Sequence, residues 1–291
     1  MYRITTESIC DVDVNYLQQR NCDVLFYSYT ADGKEYLDDM WRQPQQQESL
    51  YAALQKGKPS TSLINQSRYE QFFLERLQTE DVLHIAFSSG LSSSANNAFL
   101  AAQKIEKMNL PHKLKVVDTL SGCGGMALLV EHALDMRDGG ATMEEVWRWL
   151  EDNKLRPRHY FFTSDLSYLR RSGRVSGAVM LIGNLLRLCP VMRATDEGKL
   201  VAYAKTITAK KAEQKLIAEM LSQAEGGVDY DKTLYVAHAW CPQTAQAVAD
   251  LAKLTFPRLK DIRISPIGSI LSCHCGPGTT AIFFWGKDNC R

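Results

Sequence analysis

The sequence predicts an α/β fold in two parts. A mainly parallel sheet flanked by helices precedes a C-terminal α+β domain, with a ligand site between the two. Three observations predict it. Short apolar runs alternate with helix-period segments through the first half of the chain. That alternation gives way to a hairpin pattern after Arg156-Pro157-Arg158. With 291 residues, 45% of them hydrophobic, the chain is long enough to build two cores. The expected domains are residues 1–157 and 158–291. No repeat or low-complexity linker separates them, so they should pack closely around a cleft.

Branched and aromatic residues mark "YRITTES" and "CDVLFYSYT" as the first strands. Helical spacing runs from Ser49 to Lys56 and from Arg68 to Gln78; "VLHIAF" is then a buried strand and Ala95 to Met108 a helix. "KLKVVD" is the next strand, followed by helices from Gly125 to Arg137 and from Met143 to Leu155. Strands joined through helices need right-handed crossovers, hence parallel pairing with both sheet faces covered. Beyond the boundary, "HYFFTS" is a strand, "DLSYLRRSG" a short helix stopped by Gly173, and Ser176 to Leu186 a helix with Ser176 as N-cap. "CPVMRATDEGKLVAYAKTIT" reads as a hairpin turning at Asp196-Glu197-Gly198. A helix from Ala209 to Ser222, the strand "KTLYVAHAW", a helix from Pro242 to Leu254 and the strand "AIFFW" complete the order.

The chain carries 34 basic and 33 acidic residues, a formal charge of +1. That balance argues against general attachment to nucleic acid or an anionic membrane. "MYRITTESIC" lacks the basic and apolar regions of a secretory leader, and no run of about eighteen apolar residues occurs, so a soluble cytoplasmic protein without an integral membrane segment is expected. The 8 cysteines are scattered, without C-x-x-C pairs, and most should be small buried hydrophobes. Cys273-His274-Cys275 is the tightest cluster, but strand neighbours point to opposite faces and no second cluster adds ligands, so no metal site is expected.

"FSSGLSSS" (87–94) sits at the carboxyl end of a predicted parallel strand and opens a helix, which is where α/β sheets collect ligands. A serine nucleophile would need G-x-S-x-G, and Gly90-Leu91-Ser92-Ser93-Ser94 lacks the second glycine. The hydroxyls are also readable as a solvent-exposed helix N-cap. His84 reads as a hydrogen-bonded core histidine. "SGCGGM" (121–126) does not complete a dinucleotide fingerprint, and Walker and H-E-x-x-H motifs do not occur.

Several stretches together resemble the DegV family: "DGKEYLDD" (32–39), "KPSTSL" (58–63), "SSGLSSSANNA" (88–98), "VVDTLSGCGGMALLV" (116–130), "DLSYLRRSGRVSGAVMLIGNLL" (165–186), "KTITAKKA" (205–212) and "CHCGPGTTAIFF" (273–284). The resemblance implies a protein with no cofactor that binds a long-chain fatty acid between an α/β and an α+β domain. It also implies, for some members, presentation of the acyl carboxylate to a separate fatty acid kinase subunit, which phosphorylates it.

Residue by residue, the resemblance makes Thr61 and Ser92 carboxylate ligands, with Ser93 in place of a glycine and its N–H an additional donor. His274 matches the histidine of an H-T-G-P-G element, here with Cys275 for the threonine. Hydroxyls and helix-starting amides suit a carboxylate, which needs donors and no nucleophile. Arg170, Arg171 and Arg174 match an element near the ligand entrance and are candidate contacts for an acidic kinase partner, with Arg193 and Lys205 extending that surface. "GAVMLIGNLLRL" (177–188) and "AIFFW" are candidate tunnel walls. Thr6-Glu7-Ser8 departs from the family's T-D-S, and "AHAWCP" (237–242) from a more polar turn. The competing readings are an esterase or thioesterase using Ser92 or Ser93, and a carrier of another amphiphilic acid.

Overall fold

The structure is a computed structural model that describes residues 2–57, 59–175, 189–289 and 291. The helix expected over 176–186, its N-cap Ser176, the whole of the "GAVMLIGNLLRL" wall and Cys290 lie outside the described residues.

Strands β1 (Tyr2–Glu7), β2 (Cys22–Leu25), β6 (Asp81–Ala86) and β7 (Leu114–Asp118) form a wholly parallel sheet in the order β2-β1-β6-β7. The central strands are buried because helices cover both faces; Ile4 to Glu7 of β1 and Val82 to Ala86 of β6 are all buried. Helix α1 (Val14–Gln19) links β1 to β2, while α3 (Gln66–Arg76) and α4 (Ser94–Glu106) pack together beside β6. Ala95, Ala98, Ala101 and Ile105 form the buried stripe of α4 at helical spacing. Helix α6 (Met143–Asn153) opens with a reciprocal capping box between Thr142 and Glu145.

The segment read as one strand, "CDVLFYSYT", is two. After β2 the chain turns at Phe26-Tyr27, and β3 (Ser28–Ala31) leaves the parallel sheet to pair with β4 (Lys34–Leu37) and β5 (Ser60–Ser62) in a small antiparallel sheet. Helix α2 (Pro44–Lys56) lies between β4 and β5 in sequence. Tyr27 fixes the turn: its N–H donates to Ser8 Oγ at 3.2 Å and its hydroxyl to Glu7 Oε2 at 3.0 Å.

From Pro157 onward the strands belong to a second sheet. It comprises β8 (Pro157–Phe162), β9 (Cys189–Ala194), β10 (Leu200–Thr206), β11 (Thr233–His238), β12 (Asp261–Pro266) and β13 (Thr280–Trp285), in the order β10-β9-β8-β13-β11-β12. All pairings are antiparallel except β11 with β12. The expected β9–β10 hairpin is present and turns at Asp196–Gly198. Helices α8 (Ala209–Gln223) and α9 (Pro242–Thr255) pack together on this sheet, and the short α7 (Ser167–Ser172) ends at Gly173 as expected.

Helix α5 (Cys123–Asp138) is the divider between the sheets. It packs against β1 on one side and against β8, β11 and β13 on the other, and its residues from Cys123 to Val130 are all buried. The last helix, α10 (Ser269–Cys275), carries the "CHC" cluster, which was expected on a strand. Seven residues rich in serine and cysteine show little periodicity. On a helix, Cys273 and Cys275 turn into the core while His274 stays half-buried. The described cysteines are all free thiols, and most are buried.

Candidate functional site

A cavity of about 430 Å³ opens between the two sheets, within the range of small-molecule sites. Ile9, Phe87, Phe161, Ile270, Ala281 and Phe283 make its interior apolar, and Thr61, Ser92, Ser93 and His274 border it with Arg174. The "AIFFW" strand thus supplies part of the wall, as expected.

Three separate parts of the chain assemble the polar end. Thr61 lies on β5, paired with Tyr29 of β3. Ser92 lies in the turn between β6 and α4. Its Oγ is 3.0 Å from Ser94 Oγ and accepts the Ser94 N–H at 3.2 Å. Ser94 Oγ also accepts the Ile64 N–H at 3.2 Å, and Asn97 Nδ2 donates to the Ile64 carbonyl at 2.8 Å, so the serine turn is tied to the chain leaving β5. His274 reaches in from α10, with Nε2 2.9 Å from Thr61 Oγ1. Burial and, less strongly, the nearby Arg174 charge pull the His274 pKa down to about 4, so the ring is neutral at neutral pH. Its partner is a side-chain hydroxyl rather than main chain.

Ser93 borders the cavity at the N-cap position of α4, yet its hydroxyl makes no capping bond; its carbonyl accepts the Asn97 N–H at 3.1 Å. Ser88 faces the other way, and its hydroxyl donates to the Gly198 carbonyl at 2.8 Å. The tip of the β9–β10 hairpin therefore rests on the serine turn. The approach is close enough to require glycine on both sides. A Cβ on Gly90 would lie 2.3 Å from the Glu197 carbonyl oxygen, and one on Gly198 2.2 Å from Ser88 Oγ.

The five basic residues expected to form one contact surface separate. Arg170 and Arg171 are exposed on α7, with Arg171 over the Tyr168 ring at 4.4 Å. Arg174, just past Gly173, folds back to the cavity mouth; its Nε donates to the Leu91 carbonyl at 3.4 Å and its guanidinium also to the Ser172 carbonyl. Arg193 stands opposite Tyr160 and Val201, on the face of the sheet covered by α8, whereas Lys205 stands opposite Pro190 on the other face. Alternation along β9 and a bulge between Ala202 and Ala204 produce that split.

Glu7 is fully buried within the first half of the chain, rather than at a contact between halves. It accepts from Tyr27, from Tyr69 and from the Phe87 N–H at 3.0 Å, and lies 3.2 Å from His84 Nε2. His84, equally buried and 2.9 Å from Thr5 Oγ1 through Nδ1, is the core histidine expected. Sequence reasoning missed Tyr27, Cys123 and His159 as wall residues and Ser94 as the clamp on Ser92. Only Ser94 left a signal, since it stands in the serine run. Among the described residues no cluster of His, Cys, Asp or Glu is arranged to hold a metal ion. No described helix is long and apolar enough to cross a membrane.

Comparison with known proteins agrees with this architecture. A DegV domain-containing protein of Clostridium perfringens is 32% identical over 285 residues, 97% of each chain. A protein of Thermotoga maritima named fatty acid-binding protein is 30% identical over 287 residues, 95% of each. Among solved structures, the Streptococcus pneumoniae fatty acid kinase B3 protein loaded with linoleic acid superposes with a TM-score of 0.81 at 22% identity, over 98% of this chain and 99% of that one; it shares the fold. The model of the DegV family, a family described as uncharacterised, matches residues 1–287, and the chain belongs to that family.

Proposed function

We propose that this protein is a cytoplasmic, non-catalytic carrier of a long-chain fatty acid, with the carboxylate held by Thr61, Ser92, Ser93 and His274. The observation that carries this reading is the Thr61–His274 pair standing at the polar end of a mainly apolar cavity. With its proton on Nε2, the neutral imidazole donates to Thr61 Oγ1 and leaves the threonine proton for a carboxylate oxygen. Ser92 Oγ accepts the Ser94 N–H and donates to Ser94 Oγ; rotation of its hydroxyl away from Ser94 presents the proton to the ligand. Arg174 adds a positive charge at the mouth.

Burial of the acyl chain supplies most of the affinity. Each methylene contributes about 0.8 kcal/mol, so about fifteen give on the order of 12 kcal/mol before the entropy of association is deducted. The names of the Thermotoga and Streptococcus proteins support the ligand class. Free thiols among the described cysteines suit a reducing compartment. We place the division between the halves at 157/158; the start of β8, the first strand of the second sheet, at Pro157 supports it.

The chemistry is assigned to a partner. Among the described residues neither Ser92 nor Ser93 is hydrogen-bonded to a histidine, which is the arrangement a serine nucleophile requires. A separate kinase subunit would phosphorylate the presented carboxylate, docking on Arg170, Arg171 and Arg174, with Lys205 and Arg193 outside that patch.

Solvent extraction of the purified protein followed by mass spectrometry tests the ligand. A long-chain fatty acid is expected; protein that carries none and takes up none sinks the carrier reading. A serine-directed fluorophosphonate should leave the protein unlabelled, and labelling abolished by Ser92→Ala would establish the esterase reading instead.

A further inference from the structure

His159 is a buried polar side chain that the carboxylate end does not use. It lies on β8, is 7% exposed, and forms part of the cavity wall beside Phe161 and Phe283. The Phe283 ring meets it edge to face, with centroids 5.3 Å apart. Both of its ring nitrogens are buried without a hydrogen-bond partner; the Pro157 carbonyl is nearby but outside hydrogen-bonding geometry. The Nε2 edge packs on α5, where a Cβ on Gly125 would lie 1.9 Å from Nε2. Burial holds the ring neutral, with one N–H to donate and one lone pair to accept. Other buried polar groups of the wall have partners: Tyr27 donates to Glu7 and Thr279 Oγ1 to the Cys275 carbonyl at 3.0 Å. A leucine or phenylalanine at position 159 would line the cavity without stranding two polar atoms.

Sheet register fixes where His159 lies along the cavity. Helix α10, which carries His274, leads through Gly276–Thr279 into β13, whose first residue Thr280 stands opposite Phe162. His159 stands opposite Phe283, three residues further along, roughly 10 Å at the strand rise. An acyl chain anchored at Thr61 and His274 passes His159 part-way along its length.

We propose, on the basis of the fatty-acid reading above, that His159 recognises a hydroxyl group borne mid-chain, so that the preferred ligand is a hydroxylated fatty acid. A hydroxyl both donates and accepts, and so matches the imidazole in either tautomer. Contact needs a turn of the ring about its terminal torsion, which is soft in histidine.

The test is competitive displacement of a fluorescent fatty acid by stearate and by hydroxystearates substituted at successive positions. One mid-chain isomer, or two adjacent ones, should bind about tenfold more tightly than the remaining isomers, the worth of one neutral hydrogen bond. In His159→Phe the preference among the isomers should vanish, whatever the change in stearate affinity, and residual stearate binding shows that the variant is folded. If stearate binds but every hydroxystearate is weaker by the same factor, the His159 inference is overturned and the carrier reading stands. The same holds if the preference survives in His159→Phe. If neither stearate nor any hydroxystearate binds, the carrier reading fails and takes the inference with it. Should His159→Phe not fold, the isomer panel on the native protein decides alone.

Discussion

Replacing Thr61 by valine exchanges a hydroxyl for a methyl of nearly the same shape, leaving the cavity wall intact. Two interactions go. In the free protein, His274 Nε2 loses its partner at 2.9 Å, and a half-buried neutral imidazole left unpaired costs about 1–3 kcal/mol of stability. That cost is present with and without ligand, so it largely cancels from the affinity. In the complex, the carboxylate loses a charge-assisted hydrogen bond worth about 1.5–3 kcal/mol, which raises Kd roughly 10- to 150-fold. The methyl ester of the same acid offers only a neutral carbonyl and should lose about 0.5–1.5 kcal/mol, at most roughly tenfold. Isothermal titration of Thr61→Val with stearate and methyl stearate reads the difference directly. Equal loss for acid and ester, or no loss for either, would refute the assignment of Thr61 as a carboxylate ligand.

Gly90→Ala sets a Cβ 2.3 Å from the Glu197 carbonyl oxygen and 2.7 Å from the Gly198 carbonyl carbon, both main-chain atoms. The hairpin tip must lift from the serine turn, and thermal unfolding should show a loss of about 1–3 kcal/mol; an unchanged midpoint would show that the contact is not maintained in solution. His274 supplies a pH signature. Its folded pKa near 4 lies below the ordinary 6.5, so as pH falls through that window the unfolded chain binds the proton first. Its contribution is therefore present above pH 6.5 and declines towards pH 4, by at most about 3 kcal/mol. Asp11, whose carboxyl burial pushes up to about 7, gives the opposite slope between about 4 and 7, so the quantity to measure is the native protein's stability minus that of His274→Gln. This difference should rise with pH across the window; a flat difference would mean that the ring is not held neutral.

The parallel sheet and its helices were legible because burial imposed long, regular patterns on them. β6 is buried from Val82 to Ala86 and apolar there except for His84, and α4 repeats small residues at helical spacing. The small sheet was not legible. β5 has three residues, Ser60 to Ser62, and β4 exposes most of its own, so neither carries an apolar alternation to detect. β12 is an edge strand with Asp261 and Arg263 in its six residues, which masked it in the same way. At the site, the serine turn declared itself, but its juxtaposition with Thr61 and His274 did not. Those two residues stand 213 positions apart, and only the family resemblance brought them together before the structure did. The backward turn of Arg174 at Gly173 has no periodic signature, so its contact with the Leu91 carbonyl at the cavity mouth was not legible.

The polar end of the cavity is made from β5, the turn before α4 and α10, so no continuous piece of the chain contains it. Affinity for an acyl ligand and cohesion of the two halves are then one thermodynamic quantity seen from two sides. A ligand present at a hundredfold excess over Kd adds about 2.7 kcal/mol to the work of unfolding, and by the same linkage a substitution that loosens the halves weakens binding without touching the ligand. Empty and loaded forms should therefore differ in protease resistance, with cleavage slowed throughout both halves rather than at the mouth alone.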